Sequence, residues 1–193
     1  MRRDDLGDLQ VLIVGGKPHA VMTLRTVLGI VGLNKVCVEA DSVRAIEALR
    51  DQTLDAVFCD ERTDAVDNVP FPLAARRAQG VLNPMLPIFL ICSSPMRRQV
   101  EGARNDGITD VLVRPISAAT VMRKLRGAMF APRPFILASG FFGPDRRGGG
   151  RAPYRGQDRR QRSPKKLKVS LNESAALLTQ ATQQDSEGVQ VEL

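Results

Sequence analysis

Two stretches in the last third of this chain carry residue types at spacings that could do specific chemistry. Phe141-Phe142-Gly143-Pro144-Asp145-Arg146-Arg147 recurs thirteen residues later as Tyr154-Arg155-Gly156-Gln157-Asp158-Arg159-Arg160. An aromatic residue, a glycine, an aspartate and two arginines stand at the same offsets in both, and a random basic linker would not place an acid twice at one offset. Arginine offers a planar fork that matches guanine O6 and N7 and also stacks on the base. A carboxylate accepts hydrogen bonds, so it suits the N1–H and N2–H donors of guanine. Tyr154 adds a stacking face, worth about 1–3 kcal/mol per base in single-strand binders. The glycines permit close backbone approach, and the remaining arginines neutralise phosphate. Guanine plus phosphate, read twice, implies a ligand that is itself two-fold and guanine-rich, and cyclic di-GMP answers that description. The expected ligand-binding residues are Asp145, Arg146, Arg147, Tyr154, Arg155, Asp158, Arg159 and Arg160.

Charge points to the same stretch. The net charge of +7 is uneven: residues 133–168 hold 11 basic and 2 acidic side chains, whereas residues 169–193 hold no basic and 4 acidic ones. A basic character confined to one segment argues for a localised anionic partner. The blander possibility is a solvated linker. An RNA-coating tail is a further alternative, but Asp145 and Asp158 would face repelling phosphate backbones, so nucleic acid is not the expected partner.

The elements that must position this segment lie before it. Short apolar runs at Gln10–Val14, Lys35–Glu39, Ala56–Cys59, Ile88–Cys92 and Val111–Val113 are Val- and Ile-rich and bounded by turn residues, as buried parallel strands are. Helical patterns separate them at Pro18–Gly29, Ser42–Asp51, Phe71–Gly80, Met96–Asp106 and Ser117–Phe130. Pro18 suits a first helical turn, and Asp41 and Ser42 are candidate caps. Five strand–helix alternations predict an α/β fold with a doubly wound five-stranded parallel sheet, whose cleft lies at the carboxyl ends of the strands. From Pro132 to Pro153 proline and glycine are dense, which predicts no compact core through residue 164. Ser170 and Glu173 then form a capping-box pattern before a short helix over about residues 171–183. No stretch approaches the roughly 18 apolar residues of a membrane span, and residues 1–5 lack a signal-like apolar run. Cys37, Cys59 and Cys92 have no metal-ligand spacing and read as buried free thiols in a reducing compartment. A cytoplasmic protein without membrane insertion is expected.

The strand ends read Val14-Gly15-Gly16, Cys59-Asp60, Cys92-Ser93-Ser94 and Val113-Arg114-Pro115. Over about residues 9–130 this resembles the CheY-like receiver domain of bacterial response regulators, which implies a CheY/flavodoxin-like sheet. Asp60 falls on that family's phosphoacceptor position, Arg114-Pro115 on its Lys-Pro, and Cys92 or Ser93 on its hydroxyl position, the count from Pro87 favouring Cys92. Gly15 and Gly16 stand where the family has an acidic pair. Mg²⁺ wants near-octahedral oxygen ligands, and phosphoryl transfer relies on the metal to neutralise charge. With one carboxylate left, no metal is expected, Asp60 is a degenerate phosphoacceptor position, and an Asp60–Arg114 pair is the expected structural role. His19, at a helix start, is not read as a ligand.

A receiver followed by an arginine-rich tail, with Arg155-Gly156-Gln157-Asp158 at the Arg-x-x-Asp spacing of known cyclic di-GMP sites, resembles the Cle proteins, CheY-like effectors of flagellated α-proteobacteria. The resemblance implies cyclic di-GMP as ligand, an intercalated dimer being one form, and the flagellar motor switch protein as partner, with recruitment to the flagellated pole. It divides the chain into a degenerate receiver over 1–131, a mostly disordered arginine-rich ligand-binding segment over 132–168, and a short helix with mobile tail over 169–193. No enzymatic activity is expected. The alternative is a phosphorylation-dependent receiver with an unstructured tail.

Overall fold

The computed structural model describes residues 7–94, 96–138, 140–146 and 165–169. Strands β1 (Gln10–Val14), β2 (Lys35–Glu39), β3 (Ala56–Asp60), β4 (Ile88–Cys92) and β5 (Asp110–Val113) form one parallel sheet in the order β2-β1-β3-β4-β5. Helices α1 (Pro18–Ile30), α2 (Ser42–Asp51), α3 (Phe71–Arg77), α4 (Arg97–Asn105) and α5 (Ala118–Phe130) alternate with them. Alternate strand residues point to opposite faces. Ile13, Phe58 and Ile91 therefore join Leu24 and Leu28 of α1 and Val121 and Leu125 of α5 in one core. Leu12, Val57, Cys59 and Ile88 join Ile46 and Leu49 of α2 and Phe71 and Ala75 of α3 in the other. With both faces covered, β3 is buried at every position, which is why the sequence shows apolar runs and not alternation.

Caps stand where local chemistry puts them. The Asp41 carboxylate accepts from Arg44 N at 2.8 Å, and Ser117 Oγ accepts from Thr120 N at 3.2 Å. Helix α3 stops three residues before the expected Gly80, because Ala78 turns to an extended conformation. The chain then runs along α2, where Leu82 N donates to Leu49 O and Arg50 Nε to Gln79 O. No helix among the described residues is long and apolar enough to cross a membrane.

The main departure from expectation follows α5. Strands β6 (Phe135–Ala138), β7 (Phe141–Pro144) and β8 (Lys165–Leu167) form an antiparallel sheet in the order β7-β6-β8. The proline- and glycine-dense segment expected to lack a compact core thus builds a second small sheet, at least over its described residues. Phe135, Phe142 and Leu167 close a core of their own on Met85, which precedes β4. Proline does not prevent this, because Pro144 ends an edge strand and Pro134 contributes its carbonyl, accepting from Asp145 N at 2.7 Å. Glycine is required: a Cβ on Gly143 would lie 2.8 Å from Gly107 Cα, so the two backbones touch. The expected helix over 171–183 and the tail beyond it lie outside the described residues.

Arg76 locks the second sheet to the first. Its guanidinium is buried at the end of α3, donates from Nε to Gly107 O at 3.1 Å and from Nη1 to Pro84 O at 2.7 Å, and lies 5.1 Å over the Phe135 ring. Nη2 has no hydrogen-bond partner among the described residues. Burial pulls the Arg76 pKa down to about 9, which still leaves it charged at neutral pH. Because Phe135 sits in this shared seam, Phe135→Ala should destabilise the whole protein by about 3–5 kcal/mol. Urea denaturation of the full chain would show this as a lower midpoint in a single transition. An unchanged midpoint would mean that the second sheet does not share the body's core.

Candidate functional site

Each side chain at the strand ends is placed by the element it terminates. Asp60 closes β3 and is buried, at 8 % exposure. Its Oδ1 accepts from Arg62 N at 2.9 Å, and its Oδ2 accepts from Arg114 Nη2. Arg114 follows β5 and is held from two further sides: Nη1 donates to Ser93 Oγ at 3.3 Å and lies 3.7 Å from Glu61 Oε1. Glu61 in turn accepts from Ser93 N at 2.9 Å. The expected Asp60–Arg114 pair is present, and two residues extend it into a network. Geometry overturns the count from Pro87 that favours Cys92: the hydroxyl position is that of Ser93. Ser93 presents its hydroxyl to Arg114, whereas Cys92 ends β4 inside the fold. Burial, helped by the Glu61 charge and opposed by Arg114, pushes the Cys92 thiol above its ordinary range. Cys59, deeper in β3, is pushed up to about 12 by burial.

The glycines after β1 are structurally enforced. Gly15 has φ +67° and Gly16 φ +92°, where L side chains are strained. A Cβ on Gly15 would stand 2.5 Å from Thr63 Oγ1, and one on Gly16 would stand 3.3 Å from Asp60 Oδ2. Thr63 is fixed in that place, with its hydroxyl donating to Val14 O at 3.1 Å and its N–H to Asp60 O at 3.0 Å. Thr63 therefore occupies the space that a side chain on Gly15 would need. The residues do not fit a Mg²⁺ site: Asp60 is already bound by a guanidinium and a backbone N–H, Glu61 is held by Ser93 N, and Asp64 is held by Ser42. Among the described residues no group of three or more His, Cys, Asp or Glu is arranged to hold a metal ion.

The residues of the first repeat copy serve the fold where they stand. Asp145 is buried at 8 % exposure, and its carbonyl accepts from Arg133 Nη1 at 3.4 Å. Arg146 lies 4.2 Å over the Phe141 ring and donates to Asn105 Oδ1 of α4. The structure thus does not bring Asp145 and Arg146 to an open surface as a pair. Arg147, Tyr154, Arg155, Asp158, Arg159 and Arg160 lie outside the described residues. Sequence reasoning missed Arg76, Thr63 and Glu61. For Arg76 no local signal existed, since Arg76-Arg77 at a helix end reads as a solvated pair.

No family model matches the chain. Its fold is similar to that of the receiver domain of a sensor histidine kinase from Pseudomonas aeruginosa, at 22% identity and TM-score 0.53 over 61% of this chain and 94% of that one. That structure holds a magnesium ion coordinated in its active-site cleft. The fold is likewise similar to the chemotaxis response regulator CheY4 of Vibrio cholerae, at 20% identity and TM-score 0.54 over 63% of this chain and 98% of that one. The receiver domain of a modulated diguanylate cyclase from Desulfovibrio desulfuricans matches at 25% identity and TM-score 0.55, over 65% and 97%.

Two outcomes follow from this geometry. Arg114→Ala leaves the buried Asp60 carboxylate without its cation and should cost about 3–5 kcal/mol, whereas Asp60→Ala combined with Arg114→Ala should cost clearly less. Denaturant unfolding of the three variants measures the coupling, and additive losses would mean that the pair is not coupled. Incubation with acetyl phosphate and Mg²⁺, followed by intact-mass measurement, should show no phosphoryl gain on the parent. Gly15→Asp with Gly16→Asp should not gain it either, because Thr63 blocks the first of these side chains. Stoichiometric labelling of Asp60 would overturn the assignment.

Proposed function

We propose that this chain, whose fold is that of a CheY-like receiver domain, is an interaction module switched by a ligand and not by phosphorylation. The observation that carries this reading is the Asp60–Arg114 pair beside two enforced glycines, where a guanidinium takes the Asp60 carboxylate that a metal would need and positions 15 and 16 supply no other. A receiver fold so altered needs another input. The arginine-rich segment supplies a candidate: in this reading it binds cyclic di-GMP, and the loaded protein docks on a partner, by resemblance the flagellar motor switch. The likeness to a chemotaxis response regulator supports that direction at the level of fold.

Two features make the second repeat copy the better ligand-binding element. The first copy spends Phe142, Gly143, Pro144 and Asp145 on β7 and its surroundings, all of them buried. The second copy has Arg155 and Gln157 where the first has Phe142 and Pro144, so it has no apolar pair to bury in the same way. The segment also departs from β7 and returns on β8, two strands paired to the same β6, so both of its ends are fixed on the body. Fixing the ends lowers the chain entropy that a bound dinucleotide must overcome.

Calorimetric titration with cyclic di-GMP, with GTP and cyclic di-AMP as controls, tests the reading. If Arg155 and Asp158 read guanine, Asp158→Asn should weaken binding although it makes the segment more positive, since an amide offers one acceptor where guanine presents two donors. Losing that charged partner costs about 1.5–3 kcal/mol, roughly 10- to 150-fold. Tyr154→Ala should lose a comparable stacking term. Lys165→Ala, an exposed position on β8, should cost under about 1 kcal/mol. A nonspecific polyanion binder gives the reverse order, with Asp158→Asn neutral or helpful. Wild-type affinity for Asp158→Asn would end the guanine-reading assignment.

A further inference from the structure

Behind the Asp60–Arg114 pair lies a cavity that the proposed function leaves unused. It measures about 470 Å³ and is walled by Ile13, Val21, Leu24, Phe58, Ile91 and Ile116. A second cavity of about 570 Å³ adjoins it and shares Asp60, Ser93 and Arg114 with it. The space follows from small residues: Gly15 and Gly16 at the end of β1 and Ala20 on the facing turn of α1 line both. Interiors are normally filled to crystal-like density, so an apolar recess of this size with a few polar groups at its mouth has the form of a small-molecule site.

The mouth specifies the head group. Of the basic residues there, Arg114 is committed to Asp60 and Glu61, whereas Lys17 and Arg62 are exposed. Both acids are already engaged: Asp60 by Arg114 and Arg62 N, Asp64 by Ser42 N at 3.2 Å and Ser42 Oγ at 3.0 Å. Lys17 is exposed and pairs with no carboxylate among the described residues. Carboxylates at positions 15 and 16 would repel an anion, and the glycines remove that barrier. We propose that this cleft binds a small amphipathic anion, a compact apolar body seated between α1 and the sheet with one carboxylate-like head at Lys17 and Arg62. The described lining of this cleft includes no residue of the arginine-rich segment. The inference is therefore independent of the ligand proposed for the arginine-rich segment.

The test uses the full chain with Ile, Leu and Val methyl groups labelled for NMR. The probes are 8-anilinonaphthalene-1-sulfonate and its uncharged counterpart N-phenyl-1-naphthylamine, which share an apolar body and differ in the sulfonate. Both should produce saturable shifts centred on the methyl groups of Ile13, Val21, Leu24, Ile91 and Ile116. Ala20→Leu, which fills the recess, should abolish the saturable binding of both. Lys17→Gln should weaken the sulfonate probe about two- to fivefold and leave the neutral one unchanged. Should Ala20→Leu fail to fold, the shift map of the parent decides alone. Saturation that spares these methyl groups, or survives a folded Ala20→Leu, overturns the site, and equal loss of both probes in Lys17→Gln overturns the anionic head.

Discussion

A guanidinium laid against the carboxylate at the end of β3 sets the character of the whole strand-end cleft. Asp60 is buried, and a buried carboxylate must be paired, hydrogen-bonded or neutralised. Arg114 pairs it permanently, from a position fixed by Ser93 and Glu61. A divalent ion would supply a charge that comes and goes with phosphoryl chemistry, whereas a planar guanidinium supplies one that stays. Everything around the pair agrees with a permanent arrangement. Thr63 fills the space beside Gly15, and both glycines adopt backbone angles that would strain a carboxylate-bearing residue. Changing one position alone would not create a metal site, because the glycines, Thr63 and the ion pair each stand against it separately.

A second cation plays a different part. Among the described residues Arg76 donates to no carboxylate and serves as a rigid fork between Gly107 O and Pro84 O, with its flat face toward Phe135. That geometry ties the end of α3, the turn before β5 and the first strand of the second sheet into one seam. A contact that reorients β6 would therefore be felt at α3 and at the α4–β5 turn. Strands β7 and β8, both paired to β6, are thus mechanically continuous with the parallel-sheet body.

The parallel sheet is legible because it depends on local signals: apolar runs of strand length, separated by helical spacing, with the cap candidate Asp41 at the start of α2. Asp60 and Arg114 could be paired from sequence because the topology brings the ends of β3 and β5 to one edge. The count from Pro87 favours Cys92 over Ser93 wrongly, since a one-residue difference decides which side chain faces the cleft and which the core. The second sheet was misread for a reason of range. Proline and glycine break structure locally, but Gly143 is demanded by Gly107 and Phe142 by Met85, and neither partner is near in sequence. Arg76 was invisible for the same reason, as its partners on the 84 and 107 carbonyls come from two separate turns.

The repeat shows how one sequence pattern divides into two roles. Both copies keep the aromatic residue, the glycine, the aspartate and the two arginines. In the first, Phe142 supplies apolar area, Gly143 permits backbone contact, and Arg146 is drawn onto Phe141 and Asn105. In the second, the corresponding residues Arg155 and Gln157 remove the apolar area and add a donor fork. The residues that would hold a strand against the body are lost, while those that could read a planar, anionic ligand are kept or gained. A duplication that began as two equal elements would be driven apart by this difference alone. One copy is committed to burying surface, and the other carries charge and hydrogen-bonding groups where the first carries Phe142 and Pro144.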